Sequence, residues 1–214
     1  MILIGQFDSP FVRRVGIALR HYGLAFEHRP WGVFSDSERI ARFNPLRQVP
    51  TLILDDGTVL TDSFVCLEYL DGNVAEARSD SPILLLPRTG AVRTSGLRVC
   101  GFAVGVMAKA VALVYERAVR NVPDKAWSSR CELQIRSCLS LLDGERSSLS
   151  SSHWLGDRLS HVDIAVTCTM TFIRDAYPSF LADGEFPALV ETASRWEESE
   201  LFAGVRQPFM IRSQ

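Results

Sequence analysis

The sequence predicts an α/β domain of βαβα-ββα order followed by an all-α domain. Three observations predict it. Short apolar runs alternate with helix-period runs up to about residue 75; Asp55-Asp56-Gly57 sits between two apolar segments; and strand signals largely disappear after the Pro-containing stretch NVAEARSDSPILLLPRTG.

The elements follow in order. Residues 1–7 (MILIGQF) are an apolar run suited to a buried strand, and residues 11–21 carry apolar side chains at helical spacing up to Tyr22-Gly23. Residues 24–30 read as a second strand and residues 37–43 as a short charged helix. Residues 51–54 and 58–60 flank the Asp-Gly turn, a strong hairpin signal, and residues 63–70 return to helical periodicity. The crossover makes the first two strands parallel, and the hairpin is antiparallel. The expected division is a first domain over 1–76, a linker over 77–90 and a helical domain over 91–214. Within the last, residues 91–120, 124–149, 160–177 and 187–198 read as helices. There is no internal repeat, and SSLSSSH at 147–153 reads as a short loop.

Composition narrows the class. The chain has 214 residues, 47% hydrophobic, with 23 basic against 25 acidic residues and a formal charge of −2. That balance argues against nucleic acid as the main partner, which requires a basic face. Residues 1–10 lack a basic n-region and meet Asp8 too early for a signal peptide. Five cysteines, Cys66, Cys100, Cys131, Cys138 and Cys168, form no CxxC and no metal-type pattern with the four histidines. Free, mostly buried thiols in a reducing compartment are expected, and the cytoplasm with them. The apolar run VCGFAVGVMAKAVALVY, with Lys109 near its centre, reads as a core helix in preference to a membrane span.

Three places carry candidate chemistry. Ser9-Pro10 opens the first helix. Serine is a favoured cap and proline a favoured first residue, yet a helix start after a buried strand also holds anions, so capping and catalysis are compatible. Val49-Pro50, in NPLRQVPTL, is either a trans proline opening a strand or a cis bond that turns the Val49 amide and carbonyl toward a ligand backbone. Asp62-Ser63 starts the next helix. Both are capping types, and a carboxylate, a hydroxyl and free amides together suit a zwitterionic amino-acid end.

The ordered combination resembles the glutathione transferase superfamily over essentially the whole chain, in its serine-type, zeta- or theta-like bacterial members. SPFVRRVGIAL is similar to that family's active-site turn and first helix, and NPLRQVPTL to the loop with the cis-proline of its thioredoxin-like fold. TDSFVCLEYL is similar to the γ-glutamyl-binding segment, ILLLPR to the entry into the helical domain, and WLGDRLSHVDIAV to a late helix start with a buried capping box, here Ser160 and Asp163.

The resemblance implies a glutathione transferase using glutathione as co-substrate, with no metal. Ser9 would be the catalytic residue, its hydroxyl hydrogen-bonding the thiolate. Val49 would pair with the cysteinyl backbone, Pro50 holding the geometry. Asp62 and Ser63 would take the γ-glutamyl end, and Arg47 or Gln48 the glycine end. A small hydrophobic electrophile would lie against Pro10, Phe11, Phe34, Met107, Val111 and Tyr115, with Trp31 a further candidate wall. A homodimer is expected, as are detoxification and the absence of nucleic-acid or membrane partners. Two other activities stay open: a glutathione-dependent isomerase or dehalogenase, and a non-catalytic glutathione-binding regulatory protein. Asp62 stands where many members have glutamate, one methylene longer. The absence of cysteine at position 9 disfavours thiol–disulfide exchange. Tyr22 does not match the tyrosine of the tyrosine-type classes, and His153 and His161 read as surface residues.

Overall fold

The computed structural model describes residues 1–77, 84–120 and 124–209. Four short strands and eight α-helices are present among them. The strands are β1 (Ile2–Ile4), β2 (Glu27–Arg29), β3 (Thr51–Ile53) and β4 (Val59–Thr61). The helices are α1 (Pro10–His21), α2 (Ser37–Ala41), α3 (Ser63–Ala77), α4 (Gly90–Val119), α5 (Lys125–Ser148), α6 (His161–Ala176), α7 (Pro187–Glu197) and α8 (Glu200–Ala203), with a 3-10 turn over Pro178–Gly184. The chain divides into two units. The first is Met1–Leu86 with Ser199–Gln207; the second is Pro87–Glu198 with the chain from Pro208. The expected linker, 77–90, falls partly on residues 78–83, outside the described residues.

In the first unit the sheet order is β2-β1-β3-β4. The β1–β2 pair is parallel, whereas β1–β3 and β3–β4 are antiparallel. This is the sheet arrangement of the thioredoxin-like fold that the resemblance implies. Leu3, Ile4 and Leu52 are fully buried in the sheet, and Val12, Val15, Ile17, Ala18 and Leu19 of α1 are buried with them. Helix α1 ends in a Schellman motif. The Leu24 N–H reaches Leu19 O at 2.9 Å and the Gly23 N–H reaches Arg20 O at 3.0 Å. Gly23, at φ +66°, occupies the left-handed position that this stop requires.

Helix α3 continues to Ala77, well past the expected stop at Leu70. Asp71-Gly72-Asn73 reads locally as a breaker, but Asp71 is buried and accepts a 2.5 Å hydrogen bond from the Tyr22 hydroxyl. The same hydroxyl accepts the Leu85 N–H at 2.8 Å. Tertiary contact overrides the local signal.

In the second unit α4 packs with α5 and α6, and α6 with α7. Helix α4 is long and apolar enough to cross a membrane by length and composition, as a core helix also is. Asp124 caps α5 by accepting the Trp127 N–H at 2.9 Å. The capping box at α6 is present: the Ser160 N–H reaches Asp163 Oδ2 at 2.9 Å, and the Asp163 N–H reaches Ser160 Oγ at 3.4 Å. His161, expected at the surface, is buried in the first turn of α6, a helix whose residues are nearly all buried. The cysteines are free; Cys138 is half-buried and the other four are buried.

Candidate functional site at the end of the sheet

The strand register gathers the three candidate segments. Ile4 pairs with Thr51, and Thr51 pairs with Thr61. The chain leaves β1 into residues 5–9, enters β3 from Val49-Pro50, and leaves β4 into Asp62-Ser63. All three therefore lie at one end of the sheet. Gly5 allows two of them to meet. At φ +130° it takes a conformation costly for other residues, and a Cβ there would stand 2.5 Å from Val12 Cγ2 and 2.8 Å from Val49 Cβ. Bare backbone at position 5 is what lets α1 and the Val49 loop approach β1. The start of α3 joins them, because the buried Arg14 guanidinium lies over the Phe64 ring, 4.9 Å from its centroid.

Ser9 is the N-cap residue of α1, with φ −71° and ψ 121°, but its side chain makes no capping hydrogen bond. Its own N–H is turned back to Gln6 O at 3.2 Å, and its carbonyl accepts the Arg13 N–H at 3.0 Å. Pro10 is buried and has no N–H. The Phe11 and Val12 amides have no hydrogen-bond acceptor among the described residues. A half-buried hydroxyl and two helix-start amides remain for an external anion. Burial pushes the carboxyl of the preceding residue, Asp8, above the usual carboxylate range.

The Val49–Pro50 peptide bond is cis. Pro50 is buried and Val49 half-buried, and neither the amide nor the carbonyl of Val49 has a hydrogen-bond partner among the described residues. The loop is held by Asn44, whose Nδ2 donates to Gln48 O at 2.9 Å and to Thr51 Oγ1 at 3.1 Å. The Gln48 side chain is exposed. Arg47, at φ +54°, is exposed; its Nη1 pairs with Glu38 at 2.7 Å and donates to Ser37 Oγ at 3.2 Å. This pairing lowers the Glu38 pKa.

Asp62, at φ +70°, is exposed and caps α3: its Oδ1 accepts the Phe64 N–H at 2.7 Å and its carbonyl accepts the Cys66 N–H at 3.0 Å. Ser63 is buried beside it. Burial, with the Asp62 charge second, pushes the nearby Cys66 thiol up to about 12, which disfavours its thiolate. Of the expected electrophile walls, Phe11 is half-buried and Phe34 and Tyr115 are exposed, while Val111 is half-buried and Met107 fully buried. Among the described residues no cluster of three metal-ligating side chains occurs. Two features of the turn have no local signature in the sequence. Phe7 and His28 stack with centroids 3.9 Å apart, and the Phe7 amide is bonded from 200 residues away by Gln207.

The chain matches the family described as glutathione S-transferase, N-terminal domain, over residues 8–73, the stretch that contains all three segments. It also aligns along nearly its full length with the uncharacterized GST-like protein YibF of Escherichia coli K12, 29% identical over 97% of this chain and 99% of that one. The family match and this relative support the glutathione transferase superfamily. Among plant members, a probable glutathione S-transferase GSTU1 of Oryza sativa subsp. indica is 27% identical over 78% of this chain and 71% of its own. The fold matches a glutathione S-transferase of Methylobacterium radiotolerans, solved with glutathione sulfonate, at TM-score 0.83 and 25% identity, covering 100% of this chain and 99% of that one. A superfamily member from Methylobacillus flagellatus, solved with glutathione bound, matches at TM-score 0.84 and 25% identity over 95% and 98%.

Proposed function

We propose that the protein conjugates the thiol of glutathione to a small hydrophobic electrophile, with Ser9 stabilising the thiolate. The observation that carries this reading is the Ser9 hydroxyl: it stands at the start of α1 yet makes no bond to that helix. An ordinary thiol, with pKa near 8.5, is only a few per cent ionised at neutral pH. A charge-assisted hydrogen bond from Ser9 Oγ, with the free amides of Phe11 and Val12, is worth about 3 kcal/mol to the anion, or about two pKa units. Most bound glutathione would then be nucleophilic. The thiol proton leaves to solvent; the sulfur lone pair forms the bond to the electrophilic carbon, and the leaving group departs with its electron pair.

The remaining roles follow from the residues at the sheet end. The unpartnered Val49 amide and carbonyl suit the cysteinyl backbone of glutathione, beside Pro50. Asp62 keeps Oδ2 for the γ-glutamyl ammonium while Oδ1 caps α3, and Ser63 supplies a hydroxyl at the same helix start. Gln48 is exposed for the glycine end, and Arg47 would reach it by leaving Glu38. Pro10, Phe11 and Phe34 offer apolar surface to an electrophile beside the sulfur. Exposed Val65 and Tyr69 on α3 and Val92 on α4 fit a homodimer contact. A cytoplasmic detoxifying role is consistent with free thiols.

The test is Ser9→Ala against a generic aryl halide. Turnover should fall about 30-fold or more, whereas apparent glutathione affinity at neutral pH should fall only about four-fold, the share of binding linked to the thiolate. Equal loss of both, or of neither, would refute the role.

A further inference from the structure

The turn that carries Ser9 is closed by a residue from the far end of the chain. The Phe7 N–H donates to Gln207 Oε1 at 3.2 Å. Because a backbone N–H can only donate, the amide oxygen of Gln207 must be the group facing it. The Phe7 ring is fixed on two further sides. It stacks on His28 with an interplanar angle of 20°, and a Cβ at Gly16 would stand 2.6 Å from its Cε1, so the ring lies against the bare backbone of α1. The His28 Nε2 is itself hydrogen-bonded to Gly5 O at 2.8 Å. Strand β2, helix α1 and the tail therefore each hold Phe7, two residues before Ser9.

The tail is firmly seated. Arg13, buried in α1, donates from Nε to Val205 O at 3.1 Å and from Nη2 to Phe202 O at 3.2 Å. Phe202 and Val205 are buried, and a Cβ at Gly204 would stand 2.6 Å from Arg20 Nη2. With Val205 fixed, Gln207 has a short and defined reach to the turn.

We infer that Gln207 is a positioning residue for Ser9, holding the Phe7 amide and so fixing the turn that presents the Ser9 hydroxyl. This rests on the reading of Ser9 as partner of the thiolate. A hydroxyl stabilises an anion only within hydrogen-bond reach, so loosening the turn should weaken thiolate stabilisation more than it weakens glutathione binding. Gln207→Met keeps the length of the side chain and removes the acceptor; Gln207→Glu restores an accepting oxygen.

Three measurements on the full chain decide it: the pKa of the bound glutathione thiol from its ultraviolet absorbance, kcat and KM with an aryl halide, and amide exchange at Phe7. Gln207→Met should lower kcat about five-fold with KM for glutathione nearly unchanged, raise the bound-thiol pKa, and speed exchange at Phe7. Gln207→Glu should recover the exchange protection. A bound thiol acidified in the wild type and not in Ser9→Ala, but unmoved in Gln207→Met, overturns the positioning role alone. A wild-type bound thiol no more acidic than free glutathione overturns the Ser9 reading and the positioning role with it.

Discussion

Replacing Asp163 with alanine removes the carboxylate that organises the start of α6. That carboxylate is fully buried and accepts three hydrogen bonds: from the Trp154 N–H at 2.9 Å, the Ser160 N–H at 2.9 Å and the Ser160 hydroxyl at 2.6 Å. Alanine leaves two buried backbone N–H groups without this acceptor, each costing about 1–3 kcal/mol. Losing the buried charge returns part of this, since burial disfavours the ionised form and raises the Asp163 pKa. The expected net loss is about 3 kcal/mol, or about 6–12 °C in the melting temperature of a chain this size. Ser160→Ala forfeits only the long 3.4 Å cap bond and the hydroxyl contact, about 1 kcal/mol. Thermal and denaturant unfolding of both variants and the double variant provide the assay. The double variant should cost little more than Asp163→Ala, because the two residues act as one unit. An Asp163→Ala loss no larger than that of Ser160→Ala would refute the reasoning.

Further outcomes follow from the same contacts. The folded Asp163 binds its proton more tightly than the unfolded one, so the native state holds more protons between the ordinary value of 3.8 and the raised value. Its contribution to stability must therefore fall as pH rises through that window, and the wild type minus Asp163→Asn difference should show that slope; an upward slope would contradict it. Tyr22→Phe removes the hydroxyl shared by Asp71 and Leu85 and should cost about 2 kcal/mol by denaturant titration; a neutral result would exclude the link as a stabilising contact. Gly5→Ala forces a Cβ into Val12 and Val49 at a positive φ, and should abolish retention on immobilised glutathione as well as lower stability; unchanged retention would show that the Val49 loop does not need that approach. Burial raises the thiols of Cys66, Cys131 and Cys138, so native protein should react slowly with a disulfide reagent, Cys138 first; rapid labelling of Cys66 would contradict its burial.

Much of this site was legible because its signals are local. Ser9-Pro10, Val49-Pro50 and Asp62-Ser63 are each short motifs with a physical meaning at a helix or strand start. The observed register Ile4–Thr51–Thr61 puts them at one sheet end. The Ser160–Asp163 box was readable for the same reason. What could not be read depends on contacts between distant residues. Helix α3 passes Asp71-Gly72 because Tyr22, 49 residues away, satisfies Asp71. His161 is buried because the whole α6 turn is, although the residue type favours the surface. Helix α8, four residues long, has no period to detect, and its value lies in its docking on Arg13. Whether Ser9 spends its hydroxyl on its own helix is a matter of side-chain geometry that serine-before-proline leaves open.

The central claim is that the Ser9 hydroxyl is kept for an anionic sulfur. The most direct test is an ultraviolet titration of the thiolate in glutathione bound to the wild type and to Ser9→Ala. The account predicts a thiol about two pKa units below that of free glutathione in the wild type, and most of that depression lost in the variant. The same depression in both proteins would contradict it.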